Sequence, residues 1–166
     1  MQKNTLANLF NEMGFNPDEM SINEPKDVSD LNYEILSFDL KKQENIFSKI
    51  TKIVRKDDDE EFLILSSDGD LFYCTGEHKI YVKPKLGQPY FEEIISLIGN
   101  QDLYETYTKN GWRKFVLQKT NKKMMVLDVE VENNHCYYSN NILSHNTMYG
   151  DPCVSPETSI KIRRKI

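Results

Sequence analysis

The feature that most constrains this sequence is a predicted strand over residues 126–131, followed by a turn and a second segment that ends in His145-Asn146-Thr147. An asparagine side-chain amide can attack the backbone carbonyl of its own residue, close a five-membered ring and break the following peptide bond. A preceding histidine can polarise that carbonyl, and a following threonine hydroxyl can carry an acyl group. The stretch therefore contains groups suited to breaking and rejoining the backbone to which they belong.

Composition limits the alternatives. With 166 residues, 39% of them hydrophobic, the chain is predicted to form one domain with a single core. The net charge of −5 provides no overall field that would attract nucleic acid. No apolar run approaches the ~20 residues that span a bilayer, and the N-terminus lacks the apolar region of a signal peptide. Three scattered cysteines do not suggest a disulfide framework, so we expect a reducing cytoplasm.

The periodicity of apolar residues favours a mostly β fold. Short strand-like runs recur along the chain, and Asp68-Gly69 between two of them is a hairpin signal. Helical spacing is confined to residues 5–15 and 90–98. The acidic run at residues 57–61 is interpreted as a solvated loop. The predicted fold class is therefore mostly β, with one or two short helices.

The sequence Thr75-Gly76-Glu77-His78 places a hydroxyl and an imidazole on one predicted tight turn at a strand end. Side chains three residues apart on such a turn can face the same backbone amide. His78 could then protonate the leaving nitrogen, while Thr75 could hold the developing oxyanion. The spacing alone is common, and a turn histidine that only satisfies backbone groups is the alternative.

Cys153, Asp128 and His135 are candidates whose roles depend on their surroundings. The Cys153 thiol could attack the preceding carbonyl and convert an amide into a thioester if a base lies nearby. Asp128 interrupts an apolar strand, and burial beside a thiol would raise its pKa towards neutrality. His135 follows a predicted turn and could equally be a surface residue.

Cys74 and Cys136 are interpreted as small buried hydrophobic residues, which is also the alternative for Cys153. A zinc site made from Cys74, Cys136 and a histidine would lack the Cys-x-x-Cys spacing typical of such sites. We therefore expect no metal.

Together these motifs resemble the sequence blocks of inteins, the domains that perform protein splicing. In that family a Cys stands first, a Thr-x-x-His block lies at a strand end, and an Asp-containing strand and a His precede a terminal His-Asn. The resemblance covers residues 22–146 and 153–166, and it implies the horseshoe-like Hint fold without any metal or organic cofactor. The catalytic residues that it implies are Cys153, Thr75, His78, Asp128, His135, His145, Asn146 and Thr147.

The order of the blocks differs from that of an ordinary intein, because Cys153 follows Asn146 instead of opening the domain. Reading residues 153–166 before residue 1 restores the usual order. The resemblance then implies one domain made of a C-terminal intein segment (1–146), extein-derived residues or a linker (147–152) and an N-terminal intein segment (153–166). This arrangement is similar to that of atypically split inteins with a short N-terminal piece, here in permuted or fused form.

Charge is also divided between these segments. Residues 153–166 contain four basic side chains and one acidic one, a net charge of +3, whereas the remainder has 17 basic and 25 acidic side chains, a net charge of −8. An exposed basic tail is one interpretation; the other is a fragment whose charge speeds its encounter with an acidic body. The expected partners are the complementary intein fragment and the flanking extein polypeptide, with no nucleic acid or membrane, and a monomer once the pieces are fused.

The resemblance implies four steps: an N-to-S acyl shift at Cys153, transfer to Thr147, cyclisation of Asn146 and an O-to-N acyl shift. Pro152 is expected to hamper the first step, because its ring crowds the carbonyl under attack. One alternative is an autoproteolytic Hint-type domain that only cleaves at one junction. Another is a non-enzymatic β-rich binding module. A homing endonuclease is not expected, because residues 79–124 are too few for that insertion.

Overall fold

The computed structural model describes residues 2–145 and 153–165. In these residues the chain forms thirteen strands and two short helices, so the mostly β prediction is confirmed. None of these helices combines the length and apolar character that crossing a bilayer requires. In chain order the elements are β1 (Gln2–Thr5), α1 (Leu6–Glu12), β2 (Lys26–Asp27), β3 (Tyr33–Asp39), β4 (Glu44–Ser66), β5 (Leu71–Cys74), β6 (Lys79–Pro84), β7 (Tyr90–Glu93), α2 (Ile94–Leu97), β8 (Tyr104–Thr108), β9 (Gly111–Arg113), β10 (Phe115–Val131), β11 (Cys136–Ser139), β12 (Ile142–His145) and β13 (Ser159–Arg164).

Two antiparallel sheets make up the fold. The first has the order β1-β13-β3-β4-β10, and β2 and β5 also pair with β4. Because β4 is 23 residues long, it can pair with β3 along residues 44–49 and with β10 over most of the rest. The second sheet has the order β11-β12-β6-β8-β9, with β7 on β6. The long β4–β10 ribbon thus carries the segments that lie next to the candidate site.

The tail after residue 153 is an internal part of this fold. Its strand β13 lies between β1 and β3, and Ile160 and Ile162 are each only 2% exposed. The first turn of α1 is tied to the same tail, because the Leu6 and Ala7 amides donate to carbonyl oxygens at residues 158 and 156, each at 3.0 Å. The strand expected at Ile160 and Ile162 is therefore confirmed, and both of its edges are paired.

Two local expectations are wrong. Residues 57–61, expected to be a solvated loop, continue β4, because β10 pairs with them: Lys123 lies opposite Glu60, and Lys119 Nζ is 3.3 Å from a Glu60 carboxylate oxygen. Residues 90–98, expected to be one helix, begin as β7, which pairs with β6, and only Ile94–Leu97 is helical. The helical spacing there reflects the burial of Ile94 and Leu97 in the core.

Candidate functional site

Residues 153–155 are held in extended form between the end of β5 and the C-terminal part of β10. On one side, the Thr75 amide donates to the Cys153 carbonyl oxygen at 3.0 Å. On the other side, Val154 and Leu127 exchange backbone hydrogen bonds of 3.3 and 3.0 Å. Cys153 itself is fully buried. Because both edges of the segment are paired, the position of the Cys153 backbone is fixed relative to β5 and β10.

This pairing brings the Asp128 carboxyl beside the Cys153 thiol. Asp128 is fully buried, and its Oδ1 accepts a hydrogen bond from the Val129 amide at 2.8 Å. Its Oδ2 lies 3.7 Å from the Lys56 ammonium nitrogen and has no hydrogen bond of ordinary geometry within the described residues. Burial raises the pKa of Asp128 to about 7, against the opposing effects of Lys56 and the Cys153 thiol. Asp128 can therefore exchange a proton near neutral pH.

The turn at residues 75–78 directly follows β5, and the side chains of Thr75 and His78 are fully buried. The His78 amide donates to the Thr75 carbonyl oxygen at 3.2 Å, and the His78 carbonyl oxygen accepts from the Ile94 amide at 2.9 Å. A Cβ at position 76 would lie 3.1 Å from the Phe62 ring, which explains the glycine there. The turn is thus fixed between β5 and the start of α2.

The His78 imidazole is a buried base. Neither ring nitrogen has a hydrogen-bond partner among the described residues, and the Phe72 ring packs edge-on with the ring centroids 5.7 Å apart. Burial, and to a smaller extent His145, lowers the pKa of His78 to about 3, so the ring is neutral at physiological pH. A neutral imidazole can donate one hydrogen bond and accept another, which suits interaction with a peptide bond.

His145 ends β12, and its ring packs against Phe91 with the centroids 5.1 Å apart. It lies near enough to His78 to influence the His78 pKa. His135 is exposed and has a φ of 51° in the turn before β11. Since Cys136 pairs with His145, His135 lies at the same end of the β11–β12 hairpin as His145. The roles of these histidines stay predictions.

The remaining two residues of the predicted site, Asn146 and Thr147, lie outside the described residues. The structure places both Thr75 and Asp128 next to Cys153 of the tail segment: the Thr75 amide binds the Cys153 carbonyl oxygen, and the Asp128 carboxyl lies beside the Cys153 thiol. It also places His78 and His145 near each other. His135 is the one described member of the predicted set that is exposed to solvent.

Tyr137 is a neighbour of the site that sequence reasoning missed. Its side chain is fully buried, and its hydroxyl has no hydrogen-bond partner of ordinary geometry in the described part of the chain. Burial raises its pKa well above the usual value, and Cys153 and Asp128 add to that rise. The hydroxyl is therefore uncharged. A tyrosine inside an apolar strand gave no signal that would have distinguished it from other core aromatics.

The other cysteines are buried free thiols, as expected. Cys74 ends β5 next to the tail segment, whereas Cys136 packs with Phe38, Tyr138 and Leu143 in a separate apolar cluster. Across residues 2–145 and 153–165, no three His, Cys, Asp or Glu side chains are grouped as metal ligands would be.

The two buried titratable groups are expected to give opposite pH dependences of folding stability. His78 has a folded pKa of about 3, below its ordinary 6.5, so its contribution is lost as pH falls through 6.5. Asp128 has a folded pKa of about 7, above its ordinary 3.8, so its contribution is lost as pH rises from 3.8 to about 7. Between pH 3.8 and 6.5 both contributions change. In that range each group can change the slope of the unfolding free energy against pH by up to about 1.4 kcal/mol per pH unit.

Urea unfolding between pH 3.8 and 6.5 tests this opposition. We expect Asp128→Asn to make the slope of the unfolding free energy against pH more positive. We expect His78→Leu to make that slope more negative. The same change of slope in both variants, or none in either, would contradict the assigned burial of these groups.

Comparison with known proteins adds a separate line of evidence. No protein-family model matches the chain, and no curated protein matches its sequence. Among solved structures, it is similar to the DnaB intein from Synechocystis sp. PCC 6803, with a TM-score of 0.59, 16% identity, and coverage of 70% of this chain and 79% of that one. The PabCDC21-1 intein gives a TM-score of 0.58, 17% identity and coverage of 74% and 73%.

A third solved structure, the DnaX mini intein from Spirulina platensis, gives a TM-score of 0.54, 19% identity, and coverage of 68% of this chain and 81% of that one. At identities this low, the match shows that the backbone arrangement is similar, and it does not show a shared activity. All three of these similar structures are inteins. The chain therefore has the Hint-type fold of inteins, as its sequence motifs implied.

Proposed function

We propose that this chain is a protein-splicing domain, an intein whose N-terminal segment (153–166) follows its C-terminal segment (1–146). The observation that carries the proposal is the buried Cys153 thiol beside the Asp128 carboxyl, on a backbone held by the Thr75 amide. A thiol in this position has a proton acceptor next to it and is attached to the junction that splicing must open. The reaction is a single self-processing event and needs no metal or organic cofactor.

In the first step, the Cys153 thiol gives up its proton and its sulfur attacks the carbonyl carbon of Pro152. The bond from that carbon to the Cys153 nitrogen breaks, the nitrogen takes up a proton, and an amide becomes a thioester. His78 is assigned to hydrogen-bond this amide, since its two ring nitrogens are buried and unpaired within the described residues. The Thr75 hydroxyl is assigned to hold the developing oxyanion.

In the second step, the Thr147 hydroxyl attacks the thioester carbon and the Cys153 thiolate leaves. The hydroxyl loses a proton and the thiolate gains one. Asp128 is suited to accept the first proton and return the second, because its pKa of about 7 makes both forms available.

In the third step, the Asn146 side-chain nitrogen attacks the carbonyl carbon of Asn146, and the bond to the Thr147 nitrogen breaks. A succinimide forms on the intein, assisted by His145 and His135, and the Thr147 amine is released. That amine then attacks the neighbouring ester carbon and restores the hydroxyl, which leaves a normal peptide bond. Well-oriented attacks within one molecule can supply roughly 7–11 kcal/mol of such barriers.

The permuted, split origin belongs to the same proposal. Residues 153–165 supply Cys153 and also β13, which lies between β1 and β3. Basic residues at the end of the tail form ion pairs with an acidic residue of β3. Arg163 Nε lies 2.7 Å and Lys165 Nζ 3.8 Å from carboxylate oxygens of Glu34. Two fragments with this division would each lack part of the site. Association would therefore be required before splicing.

Mass spectrometry of the purified, incubated chain tests the function. We expect residues 1–146 ending in succinimide, residues 153–166 starting with free Cys153, and residues 147–152 as a cyclic peptide lighter by one water molecule than the linear form. Pro152→Gly should speed the appearance of all three, because the ring no longer crowds the attacked carbonyl. A linear peptide would indicate the cleavage-only alternative. A folded Pro152→Gly chain of unchanged mass would contradict self-processing.

A further inference from the structure

Lys56 is a buried lysine whose side chain is only 9% exposed. It lies on β4 opposite Val126 of β10, two residues before Asp128 along that strand. Because side chains two residues apart on a strand share a face, Lys56 and Asp128 are diagonal neighbours on the same face of the β4–β10 ribbon. Their charged atoms, Nζ and Oδ2, are 3.7 Å apart.

Burial makes this pair unlike the surface ion pairs of the molecule. Water screens exposed pairs strongly, so the interaction energy between the two charges is small. In a buried pair, removal of one partner leaves an uncompensated charge in a poorly solvated position. A carboxyl group deprived of its cation in such a place responds by keeping its proton.

Lys56 differs from the other groups that face Asp128. The Cys153 thiol approaches from the tail segment and the Tyr137 hydroxyl from β11, and neither carries a positive charge. The Val129 amide, on the same strand, is a fixed donor to Oδ1. Among the described residues that act on Asp128, Lys56 is the one cation.

We propose that Lys56 is a positioning residue for acyl transfer, whose ammonium group lets the buried Asp128 carboxyl release its proton at neutral pH. Asp128 touches the reacting thiol, whereas Lys56 acts through Asp128. The consequence for acyl transfer rests on the proposed splicing function. The effect on Asp128 itself does not, and it can be measured without any splicing.

The experiment compares Lys56→Met, Lys56→Gln and Lys56→Arg in the full chain. Each also carries Asn146→Ala, so that the bond after residue 146 stays intact. The protonation midpoint of Asp128 is read from the pH dependence of its side-chain carboxyl carbon signal in NMR spectra. Lys52→Met is the matched control, because Lys52 lies on the same strand opposite Glu130 of β10 and is not one of the groups that act on Asp128.

We expect Lys56→Met and Lys56→Gln to raise the Asp128 midpoint by about one to three pH units. Lys56→Arg, which keeps the charge, and the Lys52→Met control should leave it close to that of the unmodified chain. If Lys56→Met does not fold, Lys56→Gln carries the same expectation with a polar side chain. An unchanged midpoint in the folded neutral variants would overturn the proposal.

A second readout separates this inference from the proposed function. With Asn146 restored, the pH at which product formation reaches half its maximum should rise in Lys56→Gln by the same amount as the Asp128 midpoint. If the midpoint rises and the half-maximal pH of product formation does not, Lys56 does not act on acyl transfer, and the proposal is overturned. If the unmodified chain and Pro152→Gly form no products, the splicing function fails, while a raised midpoint still supports the action of Lys56 on Asp128.

Discussion

Replacing Cys153 with alanine is expected to abolish opening of the bond between residues 152 and 153 and, with it, formation of the cyclic peptide. The thiol is the attacking group, and the hydrogen bonds of residues 153 and 154 to Thr75 and Leu127 hold it at this junction. Loss of a positioned intramolecular nucleophile should slow product formation by at least about 10⁴-fold. Timed mass spectrometry of the incubated protein measures this loss.

Two further variants make the result specific. Asn146→Ala should preserve the bond between residues 146 and 147, because the side-chain amide that closes the ring is absent. Cys136→Ala is the matched control, since Cys136 is also fully buried but packs in the separate cluster around Phe38. If folded Cys153→Ala forms products as fast as Cys136→Ala does, the assignment of Cys153 as the nucleophile is contradicted.

A buried charge in the tail strand is expected to prevent association of separately made fragments. Ile162 is 2% exposed and pairs with Ile35 of β3, so Ile162→Asp would place a carboxylate in the core. The cost of such burial, together with the lost apolar contact, should weaken binding of the 153–166 peptide to residues 1–146 by at least about 100-fold. Titration of a fluorescent peptide into residues 1–146 measures the dissociation constant.

Arg163→Gln is the control for this experiment. Arg163 pairs with Glu34, but its side chain is 43% exposed, and pairs of this kind contribute only about 0–1 kcal/mol. We therefore expect a slower, less salt-sensitive association with nearly unchanged affinity. Equal affinities for Ile162→Asp and Arg163→Gln would show that the strand does not enter the core when fragments combine.

The sequence was informative where local pattern determines structure. Ile160 and Ile162 alternate with basic residues, and that alternation is enough to predict a strand with one buried face. Leu6, Leu9 and Phe10 recur at helical spacing and form α1. The candidate site residues were predicted in another way, from their joint resemblance to the sequence blocks of inteins, because each of them alone also has an ordinary structural interpretation.

Features set by distant pairing could not be predicted in this way. Residues 57–61 are strand because β10 offers partners more than fifty residues later in the chain. Lys56 looks like any other charged residue of an acidic and basic run, and only the register of β4 with β10 places it beside Asp128. Residues 90–93 join β6 because an edge of that strand is available, although their apolar spacing is helical.

The most direct test mixes two separately made pieces: residues 1–146 followed by a short C-terminal extension that starts with Thr147, and residues 153–166 preceded by a different peptide. Mass spectrometry then looks for a new molecule containing both flanking sequences. The splicing account predicts that this molecule forms, with release of both intein pieces, and that Cys153→Ala in the short piece prevents it. If the pieces associate and the flanking sequences are never joined, even without proline before Cys153, the account is contradicted.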